Sequence, residues 1–189
     1  MKKVIIAILS IKFLISCDVD TKNNKVQTEE NITVADDKDF VISPVDSSKN
    51  ILIRSKTFMG GVIMDKSIEG DSNSFTPSVP EIIKAEEIFL KCLNVDKIGT
   101  DSIEINVNEL REPDSYIRQY FGRINEKGKK TIYMNCIYFQ IIHVIFDEND
   151  NKKWQHGRIR FQDGGNNFFR VLINIDTKSC SGFSINGNA

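Results

Sequence analysis

Four cysteines, Cys17, Cys92, Cys136 and Cys180, and two histidines, His143 and His156, are the side chains best suited to nucleophilic, acid–base or metal chemistry. A cysteine nucleophile needs an imidazole within hydrogen-bond reach and a third group to orient it. Cys136 and His143 lie in strand-like sequence with opposite parity, so an unbroken strand would aim them at different faces. His143 stands between Ile142 and Val144 and reads as a core or edge histidine. There is no C-x-x-C pair for zinc and no G-x-S-x-G for a serine elbow. Asp147, Asn149 and Asn151 have the alternate spacing of a calcium loop, but Lys152 occupies the position of the required glycine and Arg158 that of the bidentate glutamate. The expectation is therefore a non-enzymatic protein with neither metal nor cofactor.

A different kind of chemistry is offered by Trp154 to Arg160. As a strand, this stretch puts Trp154, His156, Arg158 and Arg160 on one face and Ile159 and Phe161 on the other. Arg170 and Arg118, on neighbouring strands, are candidates to join them. An aromatic ring beside several cations suits an anionic glycan, a peptide carboxylate or an acidic partner protein. The same row also fits the solvated outer face of an antiparallel sheet, where basic residues are ordinary.

The N-terminus carries an address. Met1-Lys2-Lys3 is a short basic region, Val4 to Ile11 is apolar, and Leu14-Ile15-Ser16-Cys17 follows. Those four residues resemble the lipobox of bacterial lipoproteins, which implies cleavage before Cys17 and acylation of that cysteine. Each acyl CH₂ contributes about 0.8 kcal/mol on burial, so several chains would anchor the protein in the membrane of the cell envelope. Asp18, next in line, resembles an inner-membrane retention signal in enteric-type sorting, but lineages differ and the leaflet stays open. The chain has 189 residues and a formal charge of −1; removing Lys2, Lys3 and Lys12 leaves 22 basic against 26 acidic side chains. That balance gives no footprint for nucleic acid. Asp18 to Asp39 lacks aromatics and periodicity and is rich in Asn, Asp, Glu, Lys and Thr, the composition of a solvated tether spanning about 25 Å.

Phe40-Val41-Ile42 and Asn50 to Ile53 read as edge strands, and Phe58 to Met64 as another, with Gly60-Gly61 marking a bulge or close backbone approach. Ser78, Pro80 and Glu81 form a helix start, after which Ile82, Ala85, Phe89, Cys92 and Leu93 share one face. The remainder reads as β: Ile103, Ile105 and Val107 alternate, Tyr116 to Ile124 is a strand, and Asn125 to Gly128 is a turn. Further strands are expected over Thr131 to Phe146, Trp154 to Phe161, Phe168 to Ile175 and Phe183 to Ile185. The organisation is thus a signal peptide (1–16), a tether (17–39), edge strands and loops (40–74) and a helix-plus-sheet domain (75–189). With Cys17 lipidated, Cys92, Cys136 and Cys180 allow one bridge in any of three pairings. Cys92 and Cys136 both face the helix–sheet core, where they would either bridge or remain separate thiols.

One helix on a curved antiparallel sheet of four to six strands is an α+β arrangement that resembles the cystatin-like architecture. Cystatin inhibitors use a Q-x-V-x-G hairpin and a Pro-Trp loop. Gln140 to Val144 departs from the first and Lys153-Trp154 from the second. The stretch from about 75 to 189 is also similar to a family of uncharacterised bacterial lipoproteins. The residues carrying that resemblance are Arg118 to Gly122, Ile124-Asn125, Lys127-Gly128, Asn135-Cys136, Asp163 to Gly165 and Asn186-Gly187. It implies fold and location, and no activity. The leading expectation is an envelope lipoprotein that binds an envelope protein or an anionic ligand. An inhibitor or immunity-type protein and a hydrolase with a carboxylate site are the alternatives. Intact-mass measurement of protein extracted from membranes in detergent tests the address. A di- or tri-acylated mass starting at Cys17 is expected and should vanish in Cys17→Ala, whereas an unmodified soluble mass would overturn lipidation.

Overall fold

Along β5 (Tyr116–Ile124) every residue from Tyr116 to Gly122 is buried, whichever way its side chain points. A strand buried on both faces needs cover on both, and the rest of the fold supplies it. The structure is a computed structural model that describes residues 40–93, 110–146, 150 and 152–187. The Cys17 lipobox and tether, the Ile103–Val107 alternation and the Asp147, Asn149 and Asn151 loop positions lie outside the described residues.

The protein is α+β. Its strands are β1 (Phe40–Pro44), β2 (Ile51–Ser55), β3 (Gly61–Ile63), β4 (Ser74–Phe75), β5, β6 (Lys130–Tyr138), β7 (Phe168–Asn174) and β8 (Ser179–Ile185). Among the described residues they form one eight-stranded sheet in the order β1-β2-β3-β5-β6-β7-β8, with β4 pairing further along the β3 side of β5. The sheet is therefore larger than the expected four to six strands. It is also mixed, because β3 runs parallel to β5 while the other pairs are antiparallel. Segment 40–75 extends the same sheet, and β2 lies inside it between β1 and β3. Gly61 sits where a side chain would strike Tyr120, since an added Cβ would come within 2.5 Å of its ring, which is the close approach read from the glycine pair.

One face is covered by α2 (Val79–Leu93), following the short α1 (Lys66–Glu69). The Ser78 backbone N–H and hydroxyl both donate to the Glu81 carboxylate at 2.8 Å, fixing the helix start. Ile82, Ala85, Ile88 and Phe89 are buried against Tyr116, Tyr120, Met134, Cys136, Phe169 and Val171. The helix lies obliquely across the sheet. Glu81 pairs with Lys130 at the start of β6, and Cys92 is bonded to Cys180 on β8. That obliquity corrects the disulfide expectation: Cys92 pairs with Cys180, and Cys136 remains a buried free thiol. Cys136 lies opposite Arg118 and Phe169 in the middle of the sheet, whereas the end of the helix reaches the β8 edge. Closing a loop across 88 residues contributes roughly 4–5 kcal/mol in the chain-entropy view.

The other face is covered too over β2, β3, β5 and β6, so there it is not the solvated outer face of an antiparallel sheet. The strand expected over Thr131 to Phe146 breaks after Tyr138 and continues as α3 (Phe139–Ile145). Phe139, Ile142 and Phe146 also repeat at helical spacing, and in this geometry they pack with Val62, Ile117, Phe121 and Ile137. The strand expected over Trp154 to Phe161 is absent. Lys153–Gln155 is a single 3₁₀ turn, and the chain then runs irregularly to Gly165.

Under α2 the apolar face contains one ion pair. Arg118 is fully buried; its Nε lies 3.0 Å from Glu86 Oε1, its Nη1 donates to Tyr116 O and its Nη2 to Pro113 O. The Tyr120 hydroxyl donates to the same Glu86 oxygen at 2.8 Å, and the guanidinium lies 4.7 Å from the Phe58 ring centre. Burial pushes the Glu86 carboxyl above its usual range, opposed by the Arg118 charge and the Tyr120 hydrogen bond. Removing one member of such a pair leaves a charge stranded. Arg118→Met should cost about 3–5 kcal/mol in urea unfolding, and Arg118→Met with Glu86→Leu should regain most of it. A double variant as unstable as the two single losses added together would show the pair to be uncoupled.

Candidate functional site

The row of side chains that crosses the second face is polar where apolar residues would be expected. Gln119 on β5 pairs across from Asn135 on β6, Asn135 from Arg170 on β7, and Arg170 from Ser184 on β8. The first two take the place of a neighbouring strand for the irregular segment above them. Gln119 Nε2 donates to Trp154 O at 2.6 Å and to Gly157 O at 2.7 Å, and its Oε1 accepts from the Ile159 N–H at 3.0 Å. Asn135 Nδ2 donates to Ile159 O and to Gln119 Oε1, each at 3.0 Å. Further along, Asn186 Nδ2 donates to Phe161 O and Asp163 O. Backbone groups that cannot find a ladder are thus satisfied by side-chain amides.

Where this cover ends, beside Arg170, a recess of about 310 Å³ opens. Its walls include Tyr133, Asn135, Arg158, Arg160, Phe161, Gln162, Phe168, Arg170 and Asn186. Three arginines and no carboxylate are among the described residues lining it. Arg158 is the held one. Its Nη1 lies 3.0 Å from Glu69 Oε1, and its guanidinium stacks 4.5 Å from the Tyr133 ring centre and 5.3 Å from that of Phe121. Glu69 Oε2 also takes Arg123 Nη2 at 2.8 Å, so the nearly buried carboxylate of α1 bridges two cations. Arg160 and Arg170 are exposed, and their side chains make no ion pair or hydrogen bond among the described residues. Phe161 and Phe168 stack with centroids 4.2 Å apart in the apolar part of the wall.

The sequence-derived face is therefore redrawn. Arg158 and Arg160 meet at the recess, with Arg170 joining them. Trp154 is buried in the second core with its carbonyl on Gln119, and His156 is exposed, 3.6 Å from Asp46. Period-two alternation cannot hold for a segment that turns at Lys153–Gln155 and again around Gly157. Arg118 belongs to the opposite face, under α2. Glu69, Gln119, Asn135 and Asn186 were not legible as site residues; a buried amide pair in register on adjacent strands has no one-dimensional signature. Cys136 and His143 stay apart: the thiol is buried on the α2 face, where burial pushes its pKa up, while His143 is exposed on α3.

A broader depression of about 750 Å³ borders the Asn125–Gly128 hairpin, but Asp71 and Glu126 lie there beside Arg123 and Lys127. Its charge is mixed. Among the described residues no cluster of His, Cys, Asp and Glu is placed to hold a metal ion, and no described helix is long and apolar enough to cross a membrane. In comparisons with known proteins, no family model, curated protein or solved structure matches the chain.

The amide scaffold makes a prediction about local stability. Gln119→Ala removes the partners of Trp154 O, Gly157 O and the Ile159 N–H at once. Amide hydrogen exchange at Ile159 should accelerate roughly tenfold or more, while the β5–β6 ladder keeps its protection. Unchanged exchange at Ile159 would mean that the segment is held by apolar packing alone.

Proposed function

We propose that this chain is a membrane-anchored lipoprotein of the bacterial cell envelope whose α+β domain binds an anionic ligand, without catalysis of its own. The observation that carries the binding reading is the recess itself, in which Arg158, Arg160 and Arg170 converge with no carboxylate in the wall. Charge of one sign in a concave, partly apolar setting focuses the field outward and raises the local concentration of anions. The redrawn surface keeps Arg158 and Arg160 and replaces Trp154 and His156 with Arg170, Tyr133 and Phe161.

Two features support the location. The Cys92–Cys180 bond is of a kind that persists in oxidising compartments, which lie outside the cytoplasm. The Leu14-Ile15-Ser16-Cys17 sequence supplies the anchor, with the composition after Asp18 as tether. The cystatin-like reading is supported over the C-terminal part, where α2 precedes the β5-β6-β7-β8 meander and packs on it, with β1 to β4 as an added flank. Inhibition of a protease draws no support from the two inhibitory segments. Gln140 to Val144 lies within α3, and Trp154 is buried.

Ligands that bind only the folded state raise its melting temperature by mass action. An acidic fraction of envelope extract should raise the melting temperature of the full-length protein in detergent but not that of Arg160→Gln/Arg170→Gln. Lys127→Gln/Lys129→Gln carries the same charge change at the hairpin and should behave as wild type. Equal stabilisation of all three proteins would remove the recess from consideration.

A further inference from the structure

Resting on that reading of the recess, we infer that its ligand is a small organic oxyanion of monosaccharide size, bearing a carboxylate or a phosphate. Size sets the scale of what the recess itself can enclose: about 310 Å³ stands at the lower limit of small-molecule pockets and accommodates a molecule of monosaccharide size. Charge decides against a neutral ligand. Arg160 and Arg170 have no partner among the described residues, and no carboxylate in the wall competes for them. A guanidinium offers its N–H groups as a planar fork that fits both carboxylate and phosphate oxygens.

The three arginines divide the work. Arg158 is fixed before any ligand arrives, because Glu69 holds Nη1 and Tyr133 and Phe121 hold the plane of the group. Arg160 and Arg170 supply charge that no described residue compensates, one from the pinned segment and one from β7. Both walls are anchored, since Asn135 and Asn186 tie the segment down on either side of Arg160. The walls and Arg158 therefore need little reorganisation on binding, and the ordering cost falls on the Arg160 and Arg170 side chains. Asn135 and Asn186 line the recess as well; both Nδ2 hydrogens of each are committed to the protein, so it is their Oδ1 atoms that would accept from the hydroxyls of a body behind the oxyanion.

Amide chemical-shift titration of the full-length protein in detergent micelles tests this with three probes: glucuronate, glucose 6-phosphate and glucose. Saturable shifts at Tyr133, Arg158 to Gln162, Arg170 and Asn186 are expected with one or both acids and not with glucose. Arg160→Gln/Arg170→Gln should weaken that binding roughly tenfold or more. A response to glucuronate alone assigns the carboxylate, and a response to glucose 6-phosphate alone assigns the phosphate. Glucose shifts as large as those of the acids would overturn the charge assignment. If neither acid moves these amides while the acidic envelope fraction still stabilises the protein through Arg160 and Arg170, the size assignment falls and the binding reading stands. If the acidic fraction fails as well, both fall.

Discussion

β5 is enclosed on both sides, and from Tyr116 to Gly122 none of its side chains reaches water freely. Any polar group placed there must find its partners inside the protein, at a cost of about 1–3 kcal/mol for each one left unsatisfied. Two such residues stand side by side. Arg118 points under α2 and Gln119 points the other way, so each decides what can lie above it. Arg118 calls for an acidic residue on the buried face of the helix, and Glu86 supplies it. Gln119 calls for backbone groups without a ladder, and Trp154, Gly157 and Ile159 supply those. The helix and the irregular segment are thus seated by directional contacts rather than by apolar area alone.

The same constraint explains which parts of the fold were legible in the sequence. α2, β5 and the Asn125–Gly128 turn could be read because local signals and the fold agree there: capping residues and an apolar stripe for the helix, a run of strand-forming residues for β5, and turn residues after it. α3 could not, because Phe139 to Phe146 satisfies the strand and helix periods at once, and the second face selects the helix. Trp154 to Phe161 reads as a strand and is not one for a related reason. It alternates like a strand but finds its hydrogen-bond partners in side chains, which periodicity does not register. Segment 40–75 looked peripheral because its strands are short, yet β3 lies beside β5 through a parallel pairing between stretches distant in sequence. Of the candidate site, the arginines were legible as residue types, but their grouping was not. Arg158 and Arg160 meet Arg170 only because the segment is folded back over β6 and β7.

Placing the recess at the end of the covered row has an energetic consequence. Gln119 and Asn135 are buried because backbone lies above them; the next position in the row, Arg170, is exposed because the cover has turned away. A sheet face half covered by a pinned segment leaves a step, and a step between two anchored walls is a concavity that does not have to be created on binding. The cost of ordering a loop around a ligand, typically about 0.5–1.5 kcal/mol for each immobilised side chain, is reduced accordingly.

Glu69 sharpens that argument. A carboxylate next to an arginine in a binding site would ordinarily compete with an anionic ligand and weaken it. Here it approaches Arg158 at Nη1 and takes Arg123 with its other oxygen, and it is not among the residues that line the recess. Its charge is therefore spent on two cations behind the wall. Arg158, stacked on Tyr133 and only slightly exposed, would carry a large desolvation penalty without a counter-ion. Glu69 lets it sit there, and fixes its plane, while the two arginines that face solvent have no counter-ion among the described residues. A paired, rigid cation beside two that have no side-chain partner among the described residues separates orientation from attraction. That division favours a ligand small enough to be oriented by one guanidinium plane and charged enough to be drawn in by the other two.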